Sequence, residues 1–146
     1  MKRTAPQKNR QKGAAAVELA LVMPLLLLIV FGVVDAATAL YDYAAINHAS
    51  RVGARWGTIP TNNPDGSAWS CSGTATGNTD PCEVANAAIS GLLISYQSTT
   101  APSTSASGGG TPGATLTVTT TYTFKSTFTG AFLSLPISAS TIMINE

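Results

Sequence analysis

The sequence predicts an α+β fold with one long N-terminal helix, and three observations support this prediction. The first is the apolar run AAAVELALVMPLLLLIVFGVV at residues 14–34, which contains a single charged residue, Glu18. The second is the alternation of Thr with apolar residues at 115–124, which is typical of a half-buried strand. The third is the abundance of turn-forming residues between 57 and 82, which indicates loops at the start of a small domain.

The apolar run has the length of a membrane span. At 1.5 Å per residue, residues 14–34 form a helix of roughly 30 Å, the hydrocarbon thickness of a bilayer. A helix of this length in a soluble protein normally shows a polar face, and this run shows none. We therefore predict one membrane-inserted helix, in which Pro24 is tolerated as it is in other membrane helices.

Charge is distributed unevenly along the chain. Five of the eight Lys and Arg residues lie in the first 12 residues, which contain no acid. From Ala14 onward, three basic residues stand against seven acidic ones, a formal net charge of −4. A basic tip before an apolar helix predicts a cytoplasmic N-terminus and an exported C-terminus. The body lacks the basic face of a nucleic-acid-binding protein, which excludes that class.

The helix is expected to continue beyond the membrane. An apolar stripe with spacings of three and four residues predicts helix to about residue 56, with the stripe facing the domain: Tyr41, Ala45, Ala49, Val52 and Trp56. Gly57 and Pro60 end it. These features divide the chain into a basic leader (1–13), a transmembrane and stalk helix (14–56) and an exported α+β domain (57–146).

The two cysteines, Cys71 and Cys82, predict a structural disulfide in the exported domain. They do not form a CxxC redox motif, and the single histidine, His48, is too distant in sequence to complete a zinc site. A disulfide closing this loop would stabilise the domain by roughly 3 kcal/mol in the chain-entropy model. We therefore expect no bound metal.

The rest of the domain predicts a second helix and two strands. The helix covers residues 83–96 with Asp80 or Thr79 as its N-cap. The segment STTAPSTSASGGGTPG at 98–113 has the composition of a mobile linker. In the strand at 115–124 the inward residues are expected at even positions, and a second strand at 137–144, entered after Pro136, completes an antiparallel hairpin or small sheet.

The sequence contains no catalytic constellation. It has no glycine-rich phosphate motif and no nucleophile elbow, and His48 is best explained as a polar residue on a helix surface. We therefore expect a non-enzymatic protein with no catalytic residues, no cofactor and no small-molecule substrate.

The run from Lys12 to Glu18, KGAAAVE, resembles the processing site of type IV prepilins. More narrowly, residues 10–57 are similar to the TadE-like proteins, pilin-like or minor-pilin components of the tight-adherence (Flp, type IVb) pilus system. Leu19 departs from that pattern, which more often carries an aromatic residue there. The resemblance implies that a prepilin peptidase cuts after Gly13 and that Ala14 then carries a new α-amino group. It also implies that the Glu18 carboxylate of a neighbouring subunit neutralises this cation.

The resemblance also implies the location and the partners. It places the protein in a bacterial inner membrane as a single-pass protein, with the N-terminus cytoplasmic and the C-terminal domain periplasmic or extracellular, associated with a pilus. Its partners would be the prepilin peptidase and other pilin or Tad-system subunits. Two alternatives stay open: a small surface adhesin released by a Sec signal peptidase within residues 34–39, and an unprocessed bitopic assembly scaffold.

Overall fold

The computed structural model describes residues 8–94, 101–126 and 134–145, with side chains from residue 13 onward. These residues form helices and strands in the order α1 (Lys8–Gly57), a short 3-10 helix (Pro60–Asn62), β1 (Trp69–Gly73), α2 (Pro81–Ile89), β2 (Ser103–Gly108), β3 (Thr115–Lys125) and β4 (Ser134–Ile144). The chain divides into two compact units, Met1–Ala36 and Ala37–Glu146. The predicted α+β class, with its long apolar N-terminal helix, is confirmed.

In the first unit, every described side chain from residue 13 to residue 34 is exposed. Large apolar side chains are among the most exposed, with 75% of Leu21 and 69% of Leu28 accessible. Leaving so much apolar surface in water costs about 25 cal/mol per Å². This part of α1 is therefore complementary to lipid or to the apolar surface of another protein.

The second unit is built on a four-stranded antiparallel sheet in the order β1-β2-β3-β4. The predicted alternation in β3 is correct in phase, because its even-numbered residues from Leu116 to Phe124 are buried. The odd-numbered residues from Thr115 to Thr123 lie on the other face, together with serines from the other three strands. One face thus carries the core and the opposite face is covered mainly by hydroxyl groups.

Residues 37–57 of α1 pack on the core face of the sheet through small side chains. An added Cβ at Gly53 would lie 2.6 Å from the Pro81 carbonyl oxygen and 2.9 Å from the Ala85 Cβ. At Gly57 it would lie 2.6 Å from Leu116 Cδ2. Glycine at these two positions therefore allows α1, α2 and β3 to approach one another.

The predicted apolar stripe on α1 is only partly correct. Ala45 and Ala49 are buried, but 48% of Tyr41 is exposed. The buried face is centred instead on residues that include polar side chains, because Asp42 and Ser50 are fully buried. Ser50 is held there by a 2.8 Å hydrogen bond between its Oγ and Thr141 Oγ1.

The second helix has one of the two predicted N-caps, but it begins two residues before residue 83 and ends before residue 96. Asp80 is its N-cap, and the Asp80 carboxylate accepts a 2.8 Å hydrogen bond from the Glu83 amide, which satisfies one of the free donors of the first turn. The helix ends at Ile89, and Gly91 follows with a φ of +79°, a left-handed conformation that favours glycine. Residues 95 and 96 of the predicted helix lie outside the described residues.

The interpretation of 98–113 as a linker is wrong from residue 103 onward, residues 98–100 lie outside the described residues, and β1 was not predicted. Residues Ser103–Gly108 form β2 in the interior of the sheet, between β1 and β3. Gly108, Gly109 and Gly110 then have φ values of +92°, +73° and +93°, so these glycines provide the left-handed turn between two strands. Because β1 and β2 contain few apolar residues, the sequence pattern did not predict either strand.

The last strand is longer than predicted because it includes Pro136. β4 spans Ser134–Ile144, and Pro136 lies opposite Thr123 in the register with β3. Proline lacks an amide donor and is tolerated in a strand whose donor side faces away from the sheet. β4 is an end strand of the sheet, which is where such a residue can be accommodated.

The contact at Gly53 leads to a stability prediction. Gly→Ala inside a helix normally stabilises it by about 1 kcal/mol, but Gly53→Ala forces the new methyl group against the Pro81 backbone. We expect the variant to lose about 1–3 kcal/mol of unfolding free energy, as in overpacked cores. Urea unfolding of the detergent-solubilised protein, followed by tryptophan fluorescence, measures the change.

Gly32→Ala is the matched control, since nothing lies within 4 Å of a Cβ added at that helical position. Unchanged or increased stability of Gly53→Ala would show that α1 does not pack closely at this point.

Candidate functional site

The three residues of the predicted processing site lie on α1 in an accessible position. Gly13, Ala14 and Glu18 are all exposed, and no atom lies within 4 Å of a Cβ added at Gly13. Ala14 and Glu18 are four residues apart, so they lie on one face of the helix, about 6 Å apart along its axis. A carboxylate is thereby positioned one turn from the residue that would become the new N-terminus.

The helix begins further toward the N-terminus than the sequence predicted. It begins at Lys8 rather than at residue 14, so Gly13 itself is helical. Residues 1–7 of the predicted leader lie outside the described residues. Peptidases bind extended substrates, so a cut after Gly13 requires local unwinding of α1, which the low helix propensity of glycine favours.

Among the described residues, one helical segment is long and apolar enough to cross a membrane, and it begins at the predicted processing site. Glu18 is its one charged residue between positions 14 and 34. An ionised carboxylate is unfavourable in hydrocarbon unless it is paired, so a bilayer around this helix would favour a cationic partner for Glu18.

In the second unit, the structure joins Cys71 of β1 to Cys82 of α2 by a disulfide, with a Cα–Cα distance of 6.2 Å. The Asp80 carboxylate lies near these sulfurs, in a cluster whose ligand atoms are all within 4.8 Å of one another. A disulfide offers no thiolate, the form in which cysteine binds metals. The cluster is therefore a covalent link between β1 and α2 and does not have the donors of a metal site.

Acidic groups gather at the start of α2. The Glu83 carboxylate accepts hydrogen bonds from the hydroxyl and the amide of Thr79, at 2.6 and 3.2 Å. These bonds lower the pKa of Glu83 below its ordinary value of 4.5, because they stabilise the ionised form. Together with Asp80 this side chain gives the end of the domain near β1 a negative charge at neutral pH.

A buried polar network connects α2 to the sheet. The amide nitrogen of Asn86 donates to the carbonyl oxygens of Gly73 and Ala75, at 3.0 and 2.8 Å. Its oxygen accepts a 2.7 Å hydrogen bond from Thr104, whose hydroxyl also lies 3.1 Å from that of Thr120. Asn86 is 2% exposed, so these bonds replace the water that its amide would otherwise bind.

Sequence reasoning missed two of the residues that organise the domain. Asn86 lies in a predicted helix, but nothing in its neighbourhood indicated a buried side chain. In the sequence Asp42 is only one of the seven acidic residues after Ala14, yet it is fully buried and accepts a 2.9 Å hydrogen bond from the Ile94 amide. A signal for Asp42 exists in hindsight, because it precedes the buried residues Ile46 and Ala49 at helical spacing.

The Asn86 network gives a second stability prediction. Asn86→Ala leaves two backbone carbonyls and the Thr104 hydroxyl without this partner, and unpaired buried polar groups cost about 1–3 kcal/mol. We expect a loss of that size in urea unfolding. The control is Asn47→Ala, which removes an exposed bond to the Tyr43 carbonyl; equal losses in the two variants would contradict a special role for Asn86.

Comparison with known proteins identifies the N-terminal part of the chain. None of the curated proteins and none of the solved structures that were compared matches it. Residues 13–55, however, match a family model. The matched segment begins at Gly13, includes Ala14 and Glu18, and ends within α1. The resemblance inferred from the sequence is thus confirmed for this segment, and the family it matches is that of the TadE-like proteins.

Proposed function

We propose that this chain is a pilin-related structural protein of a tight-adherence (Flp, type IVb) pilus system. The observation that carries the proposal is the family match over residues 13–55, which begins at the predicted cleavage site and contains the one carboxylate of the apolar run. A structural role also agrees with the second unit, in which Asn86 bonds to Thr104 and to the backbone and a disulfide joins β1 to α2. In this proposal the protein acts through assembly rather than through catalysis.

Processing by a prepilin peptidase after Gly13 is the first element of the proposal. The cut removes five cations and leaves 133 residues beginning at Ala14, with a formal side-chain charge of −4. The exposure of Gly13, Ala14 and Glu18 on α1 supports access by a membrane peptidase. Removal of the leader converts a near-neutral precursor into an acidic protein whose only new cation is the α-amino group of Ala14.

Neutralisation of that amino group by Glu18 is the second element. An amine and a carboxylate attract more strongly in a medium of low dielectric constant than in water, and each is costly to bury alone. When two processed helices lie side by side, pairing the Ala14 amine of one with the Glu18 carboxylate of the other removes both unpaired charges. The one-turn spacing between these residues then sets the axial offset between subunits.

The location follows from the helix. We propose a single-pass protein of the bacterial inner membrane, with a cytoplasmic leader and a second unit exposed to the periplasm or the outside. The basic leader supports this orientation, and the disulfide between Cys71 and Cys82 agrees with an oxidising compartment. The proposed partners are the prepilin peptidase and other pilin or Tad-system subunits.

The N-terminus of the membrane-extracted protein tests the processing step. We expect intact mass and N-terminal sequencing to give a chain that begins at Ala14 when the peptidase is present. A bulky residue at the cleavage site, as in Gly13→Leu, should leave the leader attached. A chain that begins near Ala37 or Leu40 would instead identify the released adhesin, and a retained leader in the presence of the peptidase would identify the unprocessed scaffold.

Substitution of Glu18 tests the assembly step. We expect Glu18→Ala to insert into the membrane normally, since the substitution removes the one charge of the apolar run, while pilus formation falls strongly. Leu21→Ala, at another exposed position of the same helix, is the matched control and should assemble normally. Pili counted by electron microscopy, with the membrane level of each variant measured in parallel, give the result. Normal piliation in Glu18→Ala would contradict the proposed pairing.

A further inference from the structure

The sheet of the second unit has two end strands, β1 and β4. In an antiparallel ladder alternate residues bond to the neighbouring strand and the others point their backbone groups away. The Asn145 amide, just after β4, donates to the Ala114 carbonyl on the β3 side at 2.9 Å, so odd-numbered residues of β4 bond to β3. Four even-numbered residues therefore direct their amides and carbonyls to the open edge: Ser138, Ser140, Ile142 and Ile144.

The same alternation defines the edge at β1. The Gly109 amide donates to the Thr115 carbonyl at 2.9 Å, so odd-numbered residues of β2 bond to β3 and even-numbered ones bond to β1. Cys71 faces Ala106 across that ladder, and the flanking residues Ser70 and Ser72 therefore point their backbone groups outward. Both side chains are exposed and uncharged.

Protection of the β4 edge is limited to one end. Proteins commonly block an exposed edge with charges, prolines or bulges. Pro136 is even-numbered, like the residues whose backbone groups point to the open edge, and it lacks the amide donor that another residue would present there. Residues 138–144, however, contain no charge and no proline. Ile142 and Ile144 are 66% and 62% exposed. This stretch has the properties of a strand that accepts another strand.

The two edges carry opposite charges. A groove of about 750 Å³ beside the end of β4 is lined by Arg55 and Ile59 together with residues 142–144. At the other edge, Asp80 and Glu83 line a small cavity together with Ser72 and Gly73 of β1. A basic group therefore lies at the β4 edge and two acidic groups lie at the β1 edge of the same sheet.

We propose that β4 of one copy of this protein pairs with β1 of a second copy, so that the sheet continues from copy to copy. Thr141, Val118, Ala106 and Cys71 lie in one row across the sheet. When a second copy continues that row, its Cys71 lies opposite Thr141 of the first copy. Its Ser72 then lies opposite Ser140 of the first copy, and its Ser70 lies opposite Ile142. The strands alternate in direction, so the new pair is antiparallel, and each of these two residue pairs exchanges two backbone hydrogen bonds. Arg55 then faces the acidic groups at the start of the second copy's α2.

Assembly of many copies favours this head-to-tail pairing over a two-fold β4–β4 pair, and this step rests on the proposed function. Residues 50–57 of α1 run parallel to β4, because Ser50 contacts Thr141 and Arg55, further along the helix, lies beside residues 142–144. An antiparallel β4–β4 pair would make the two α1 segments run in opposite directions. A head-to-tail pair keeps these segments in the same direction and can continue from copy to copy, whereas a two-fold pair closes after two copies.

Proximity-dependent crosslinking of the full chain in membranes tests the pairing. The variants Ile142→Cys and Ser70→Cys are made with different tags, expressed together and treated with a short bis-maleimide, to which the native disulfide does not react. We expect a covalent dimer that contains both tags, and little product when either variant is expressed alone. Dimers of Ile142→Cys alone would overturn the proposal in favour of a β4–β4 pair, and the absence of any dimer would overturn it outright.

Charge reversal then tests the partner face. We expect Arg55→Glu and Glu83→Arg each to lower the yield of the mixed dimer several-fold, and the two substitutions together to restore it. Lys125→Glu, a reversal near the far end of β3, should leave the yield unchanged. If each single variant lowers the yield of the mixed dimer and the double variant does not restore it, the Arg55–Glu83 contact is contradicted. Because the crosslinks do not depend on cleavage after Gly13, a negative result here is distinguishable from a failure of the processing step.

Discussion

The close approach of α1 to the sheet is the constraint on which the second unit depends. Gly53 and Gly57 leave room for the backbone of Pro81 and the side chain of Leu116, so α1, α2 and β3 meet at one point. Because α1 has no side chain at these two positions, its backbone lies directly against Pro81 and Leu116, and such close contacts add to the dispersion energy of the core. The position of α2, and of the disulfide that it carries, follows from this contact.

A core with few large apolar side chains needs other sources of stability. Among the described residues, the fully buried set includes polar side chains such as Asn86, Thr104 and Thr120. Their hydrogen bonds are satisfied within the domain, which avoids the cost of burying an unpaired polar group. The disulfide between Cys71 and Cys82 links β1, the shortest strand, to α2. Covalent and polar connections thus compensate for a small apolar core.

The elements that could be predicted from the sequence are those whose composition or pattern is unusual. The apolar run and the alternation in β3 are long and regular, so α1 and the inward residues Leu116 to Phe124 were predictable. β1 and β2 were not, because WSCSG and STSASG contain almost no apolar residues. Their strand structure comes from pairing with neighbours, a tertiary effect that local propensity does not contain.

The candidate site divides in the same way. Gly13, Ala14 and Glu18 could be found because a glycine and a single carboxylate stand out against an apolar background, and the family match covers them. The charges of Arg55 and Glu83 gave no such signal, since each lies on an ordinary exposed helix surface in the sequence. Their relation appears only once the sheet order places one at each edge.

Anchorage in a membrane would strengthen association through a surface that binds only weakly in solution. The two backbone-bonded residue pairs and the one exposed ion pair of the proposed contact contribute little between molecules free in solution, where an exposed ion pair is worth about 0–1 kcal/mol. Tethering both partners through the same kind of helix replaces free diffusion by a high effective concentration. The uncharged stretch of β4 can then pair with a second copy, while Pro136 at one end of the edge and the charge of Arg55 near the other favour a partner strand with acidic neighbours. The apolar helix would in this way determine both the location of the protein and the strength of its contacts.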